Sequence, residues 1–339
     1  MTTGMKKFTK GCLITALVAL VIGAVICGVG GLLGGFRILD NMDVREITGI
    51  PFVYRHGWFY GFGLWDDDDI YWGKYEDWQS ISEGEDDRGL TLTADTLKNL
   101  YIDVGVCNLS IRESDDEYVG LSVRGGMDRL RYHVENGSLW IVRKAPRGIG
   151  ATYKTADKVY LYLPKGTTLD SVDIELGAGT MDSIALAAGD ANIGVDAGAL
   201  DIDGLTVNDE AVLSVGAGQI RLKELLCDTA SMNIGAGQLI IDDAVVSGKA
   251  SINLGMGSAN IDGIIRGDLD VECGMGEVIL DLNDAEQDHN YEIDCAMGTV
   301  KVGSHSYSGM GSSQTIDNGS DSDYNIDCSM GSVTVKFAK

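Results

Sequence analysis

Between Val172 and Val335 the chain repeats one short unit, built around a Gly-Ala-Gly or Gly-Met-Gly core or a close variant. Aligned on the second glycine, the copies place Gly179, Gly198, Gly218, Gly237, Gly257, Gly276, Gly298 and Gly331 in one column. The first six stand 19 or 20 residues apart. A fixed period of this size marks stacked supersecondary units, each burying its apolar face only against its neighbours. Such a chain is constrained in fold before any chemistry is considered.

Positions at odd spacings before each glycine are nearly all apolar. Three residues before it stand Leu176, Val195, Val215, Ile234, Leu254, Cys273, Cys295 and Cys328; five before it stand Ile174, Ile193, Leu213, Met232, Ile252, Val271, Ile293 and Ile326. Alternation at period two puts these side chains on one face of a strand. Residues between them, such as Asp173, Ser214, Asn233 and Asn253, suit a wetted face. After the glycine the apolar phase slips by one, to pairs such as Ile220 and Leu222 or Val333 and Val335. A phase change at glycine implies a bend that exploits its tolerance of positive φ. The reading is all-β: a β-solenoid-like stack of two-strand rungs, roughly 35–40 Å long for eight rungs at the usual strand spacing.

One earlier segment fits the template, with Leu100, Ile102, Val104 and Val106 leading to Cys107 in the glycine column. Between it and Val172, alternating runs at 118–123, 130–134, 139–142 and 159–163 predict an antiparallel meander ahead of the stack. Asn136-Gly137 marks a hairpin within it.

The segments "LKNLYIDVGVCNLSI", "KVYLYLPKGTTL" and the "VDIELGAGTMD" type units together resemble a bacterial family known as domain of unknown function 4097, or putative adhesin. The resemblance spans roughly residues 90–339 and implies an all-β domain of the cell envelope. The family offers no catalytic residues to carry over. An insert around 303–325 departs from the pattern, stretching the interval from Gly298 to Gly331 to 33 residues.

Residues 12–36 carry no charged side chain, a run of 25 that exceeds the ~20 needed to cross a bilayer as a helix. Lys6, Lys7 and Lys10 precede it, which places residues 1–11 in the cytoplasm and the remainder outside a single-pass membrane anchor. Residues 37–90 form an aromatic and acidic juxtamembrane linker that includes Trp58, Trp65, Trp72 and Trp78. These tryptophans suit contact with the membrane interface or a partner protein; a passive spacer is the alternative. Residues 91–339 form the repeat ectodomain.

The formal net charge of −25 disfavours nucleic acid and anionic lipid, and attracts cations or basic partners. Cys273, Cys295 and Cys328 share an inward column whose parallel Cβ vectors suit core packing better than a disulfide. Met256, Met275, Met297 and Met330 replace alanines of earlier units and read as filler of a widening core. Neither spacing points to a metal, and no cofactor or catalytic constellation stands out. The expected role is an envelope scaffold or interaction module, serving adhesion or envelope-stress signalling, whose partner is an envelope or membrane protein. A glycan or cell-surface adhesin and a carbohydrate-active β-helical enzyme are the alternatives.

Overall fold

A computed structural model of the chain describes residues 78–80, 86–124, 130–143, 158–308 and 311–338. The chain divides into a unit over Met1–Tyr54, outside the described residues, and a unit over Arg55–Lys339, which holds all of them. The expected membrane span and Trp58, Trp65 and Trp72 also lie outside the described residues. Among the described residues, no helix is long and apolar enough to cross a membrane.

The described residues of the second unit are all-β. They form 26 strands in one hydrogen-bonded sheet system, and their one helical element is the 3-10 turn Glu286–Asp288. The long strand Asn99–Ser114 runs parallel to Leu169–Ser183, setting Ile102 against Ile174 and Cys107 against Gly179. Cys107 thus occupies the first rung, as the sequence predicts. Successive rungs then stack in parallel register: Ile174 faces Ile193, Ile193 faces Leu213, Leu213 faces Met232, and Met232 faces Ile252. All five side chains are fully buried. Two stripes of alternating apolar residues on either side of each glycine therefore become two walls of one continuous core.

The central rungs have three sides, not the two expected. After the acidic turn a third segment closes the circuit, stacking 186–188, Leu205–Val207, Leu225–Cys227, 244–246 and 263–265 in parallel. The first four are apolar-x-apolar triplets such as Leu205-Thr206-Val207, whose ends are buried and whose centre faces water, and in the fifth Gly263 takes the first position. Three residues are too short a run to register as a strand from alternation alone.

The region before the stack is likewise not a simple meander. Leu130–Glu135 and Ser138–Arg143 do form a hairpin, with Asn136 at φ 50° and Gly137 at φ 77°. However, Ser138–Arg143 and Lys158–Pro164 both lie parallel to Asn99–Ser114, on the edge opposite Leu169–Ser183. They act as a split extra rung. Tyr118–Arg124 then pairs antiparallel with Lys158–Pro164 and with Asp86–Thr93, and Gln79–Ser80 pairs antiparallel with Leu130–Glu135. Antiparallel strands thus cover this end of the ladder.

The far end departs from chain order. Leu269–Cys273 pairs not with the next unit but with Asp323–Cys328, which in turn pairs with Asn290–Cys295. The second wall follows suit, with Glu277–Leu282 beside Ser332–Phe337 and that strand beside Thr299–Val302. The last unit in sequence therefore sits inside the stack, between the Gly276 and Gly298 rungs. The insert at 303–325 supplies the chain needed to return, and two of its segments close the edge. His305–Ser308 pairs antiparallel with Thr299–Val302, and Ser312–Ile316 pairs antiparallel with Asn290–Cys295.

Candidate functional site

The glycine column forms one corner of the ladder. Its cause is close approach of backbones rather than an unusual φ: within the column only Gly179 takes a positive φ, of 118°. At every other position a Cβ would strike the preceding rung. At Gly198 it would lie 2.8 Å from the Gly179 carbonyl oxygen, and at Gly298 2.5 Å from that of Gly331. At Gly237 it would press into the Gly218 carbonyl oxygen and come within 2.5 Å of Val215 Cγ1. The expectation of a positive-φ bend is thus corrected. The ladder hydrogen bonds continue round the corner, with Gly237 donating its N–H to Gly216 and Gln238 to Gly218.

Because the glycines fill the inner side of the corner, the residue before each has nowhere to point but outward. Ala197, Ala217 and Ala236 are exposed, and the methionines follow them: Met256 is 62% exposed, Met275 55%, Met330 51% and Met297 63%. The reading of these methionines as core filler is overturned. Their backbones are fixed while the side chains are not: Met256 donates its N–H to Gly235 O at 2.7 Å, Met275 to Gly255 O at 2.7 Å, Met330 to Gly274 O at 2.8 Å and Met297 to Ser329 O at 2.8 Å. The spatial order is Met256, Met275, Met330, Met297, because of the interleaved last unit. Beside Met256 and Met275, and on along the alanine corners, runs a shallow groove of about 950 Å³, bordered by Gln219, Gln238, Ser258 and Glu277. Gln219 Nε2 donates to Gln238 Oε1 at 2.9 Å along it.

The three cysteines stack as the column predicts, with Cys273 facing Cys328 and Cys328 facing Cys295; all are buried and free. Burial, with Cys328 beside it, pushes the Cys273 thiol up to about 12, and burial, with Asp228 beside it, pushes the Cys227 thiol up to about 11. Burial likewise raises the phenols of Tyr291 and Tyr324. A raised folded pKa means that the folded chain keeps protons that the unfolded chain releases above the ordinary thiol value of 9.0. Stability therefore falls as pH climbs from there towards the folded values. We expect the urea midpoint to drop between about pH 8 and about pH 10.5, and to drop less in Cys273→Ala. A flat profile would show that these groups reach water in the folded chain.

One polar cluster escaped the sequence reading. His289 Nδ1 lies 2.9 Å from Ser322 Oγ, and His289 Nε2 lies 2.9 Å from Asp284 Oδ2. These are the residue types of a nucleophilic triad, but Ser322 Oγ donates its proton to the Gly267 carbonyl at 2.7 Å. With that proton committed, the hydroxyl has none to pass to Nδ1, so the ring provides no base for it. His289 and Ser322 are also buried, and the ring stacks on Tyr324 at 4.0 Å. The arrangement ties the interleaved last unit to the Gly276 rung. No sequence signal marked it, since Asp284 and Ser322 sit in loops that read as solvated.

Of the four linker tryptophans, Trp78 is described. It is half-buried, its ring tilted against His133 at 5.7 Å, while His133 in turn lies 5.6 Å from Trp140.

The Toastrack DUF4097 family matches residues 97–336. The chain belongs to that family. The match spans the split extra rung, the stack and the interleaved end. Solved structures similar to it include a putative cell adhesion protein from Clostridium sporogenes, 11% identical, covering 77% of this chain and 98% of its own, with a TM-score of 0.30. A putative adhesin from Bacteroides fragilis is 15% identical over 76% of this chain and 95% of its own, with a TM-score of 0.43. A putative lipid binding protein from Parabacteroides distasonis is 16% identical over 78% of this chain and 96% of its own, with a TM-score of 0.37. No curated protein matches the sequence.

Proposed function

We propose that this Toastrack chain is a non-catalytic interaction scaffold of the bacterial envelope, anchored by residues 12–36 with its β ladder outside the membrane. The observation that carries the reading is the ladder itself. Each rung is hydrogen-bonded to the next, and the chain spends its repeats on a stiff surface rather than on a cleft with convergent catalytic groups. Ion pairs between rungs, such as Arg221 with Asp242 at 2.8 Å and Lys249 with Asp270 at 2.5 Å, brace its wetted faces. The partner class is a membrane protein of the same envelope, within reach of an anchored ladder. Adhesion and envelope-stress signalling are the two uses that this placement serves.

The test is photo-cross-linking in native membranes, with the cross-linker at Met275 and a control at Ser251 on the outer face of the sheet. A reproducible membrane-protein adduct at Met275 is expected. Turnover of envelope glycan by the purified chain would replace the scaffold with a carbohydrate-active enzyme. Protease added to intact cells should reach the ladder; digestion only after lysis would reverse the proposed topology.

A further inference from the structure

The four corner methionines lie on consecutive rungs. Leu254 faces Cys273 and Ser258 faces Glu277, which sets Met256 beside Met275. By the same register Met330 lies beside Met275, and Met297 beside Met330. Adjacent parallel strands run about 4.8 Å apart, so the four thioethers start from anchor points one strand spacing apart. Each side chain is more than half exposed, unbranched and free to turn about three bonds, so neighbouring sulfurs can converge on one point between rungs. Four other rungs fill this corner position with alanine, so architecture alone does not require methionine there. Four long apolar side chains in a row on a wetted corner call for a reason beyond packing.

We infer that Met256, Met275, Met330 and Met297 form a thioether ladder that binds a soft monovalent cation, Cu(I) or Ag(I), through two or three sulfurs from successive rungs. Thioether sulfur is a soft ligand that favours such ions over calcium, magnesium or manganese. The net charge of −25 raises the local concentration of any cation, and Glu277 borders the same groove. The thiols of the same rungs do not compete, because Cys273, Cys328 and Cys295 point into the core and are at most 2% exposed. This role shares the Met275 corner with the cross-linking test of the scaffold reading but does not depend on that reading.

The test uses the full chain under anaerobic, reducing conditions, with Cu(I) supplied against a coloured Cu(I) chelator. The parent is expected to withdraw copper from the chelator. The variant carrying Met256→Leu, Met275→Leu, Met330→Leu and Met297→Leu keeps the apolar volume and is expected to lose that competition. An unchanged melting temperature in the variant excludes misfolding as the cause. As a second readout, Ag(I) should shift the methionine methyl NMR signals of the parent at these four positions. Equal copper retention by parent and variant, or methyl signals that stay put, would overturn the inference.

Discussion

Gly237→Ala should destabilise the ladder by about 2–4 kcal/mol, a large effect for adding one methyl group. The added carbon would enter space held by the Gly218 carbonyl oxygen and Val215 Cγ1, and the carbonyl belongs to a backbone fixed by the rung below. Relief would require two rungs to separate and so weaken the hydrogen bonds that define the corner. Gly166→Ala separates this cause from backbone strain. Gly166 has φ 75° with nothing within 4 Å of its added carbon, so that variant should lose only about 1 kcal/mol. Ser231→Val, on the wetted face of the Gly237 rung, should stay within about 0.5 kcal/mol of the parent. Urea denaturation of the three variants gives the ranking. Equal losses at Gly237 and Gly166 would sink the close-approach account.

Deleting residues 321–339 should unfold more than it removes. The deleted strands lie between the Gly276 and Gly298 rungs, so Asn290–Cys295 and Thr299–Val302 lose their parallel neighbours although none of their own residues is missing. The anchor through Ser322 and His289 goes as well. Amides of 290–302 should therefore exchange with solvent orders of magnitude faster in the truncated chain, while those of 210–241 keep their protection. Retained protection across 290–302 would mean that the outer rung docks on Leu269–Cys273 without its interleaved neighbour.

Much of the core was readable because burial and alternation coincide. Leu213, Val215, Ile220 and Leu222 are all buried as their spacing requires, and the phase slip at Gly218 is where one wall gives way to the next. The methionines were misread because the alternation was carried one step too far. The residue before the glycine keeps the inward phase on paper, yet the chain has already turned, and stacked glycine backbones occupy the inside. Rung order was invisible for a different reason. Cys295 and Cys328, like Ile293 and Ile326, are alike in kind, so either order fills the core equally well and only the insert decides. The Asp284–His289–Ser322 cluster gathers loop residues from two units, a proximity that no local pattern encodes.

The sealed ends set a limit on growth. A parallel ladder with bare termini would offer each passing copy a template and could elongate into filaments. Here the outermost strands at one end are His305–Ser308 and Ser312–Ile316, only four and five residues long and largely polar, laid antiparallel to the rungs. At the other, short antiparallel strands lie over the split rung. Together they give the described ladder a defined length, about 40 Å from Cys107 to Gly298 at the usual strand spacing, and hinder end-to-end addition by a second molecule.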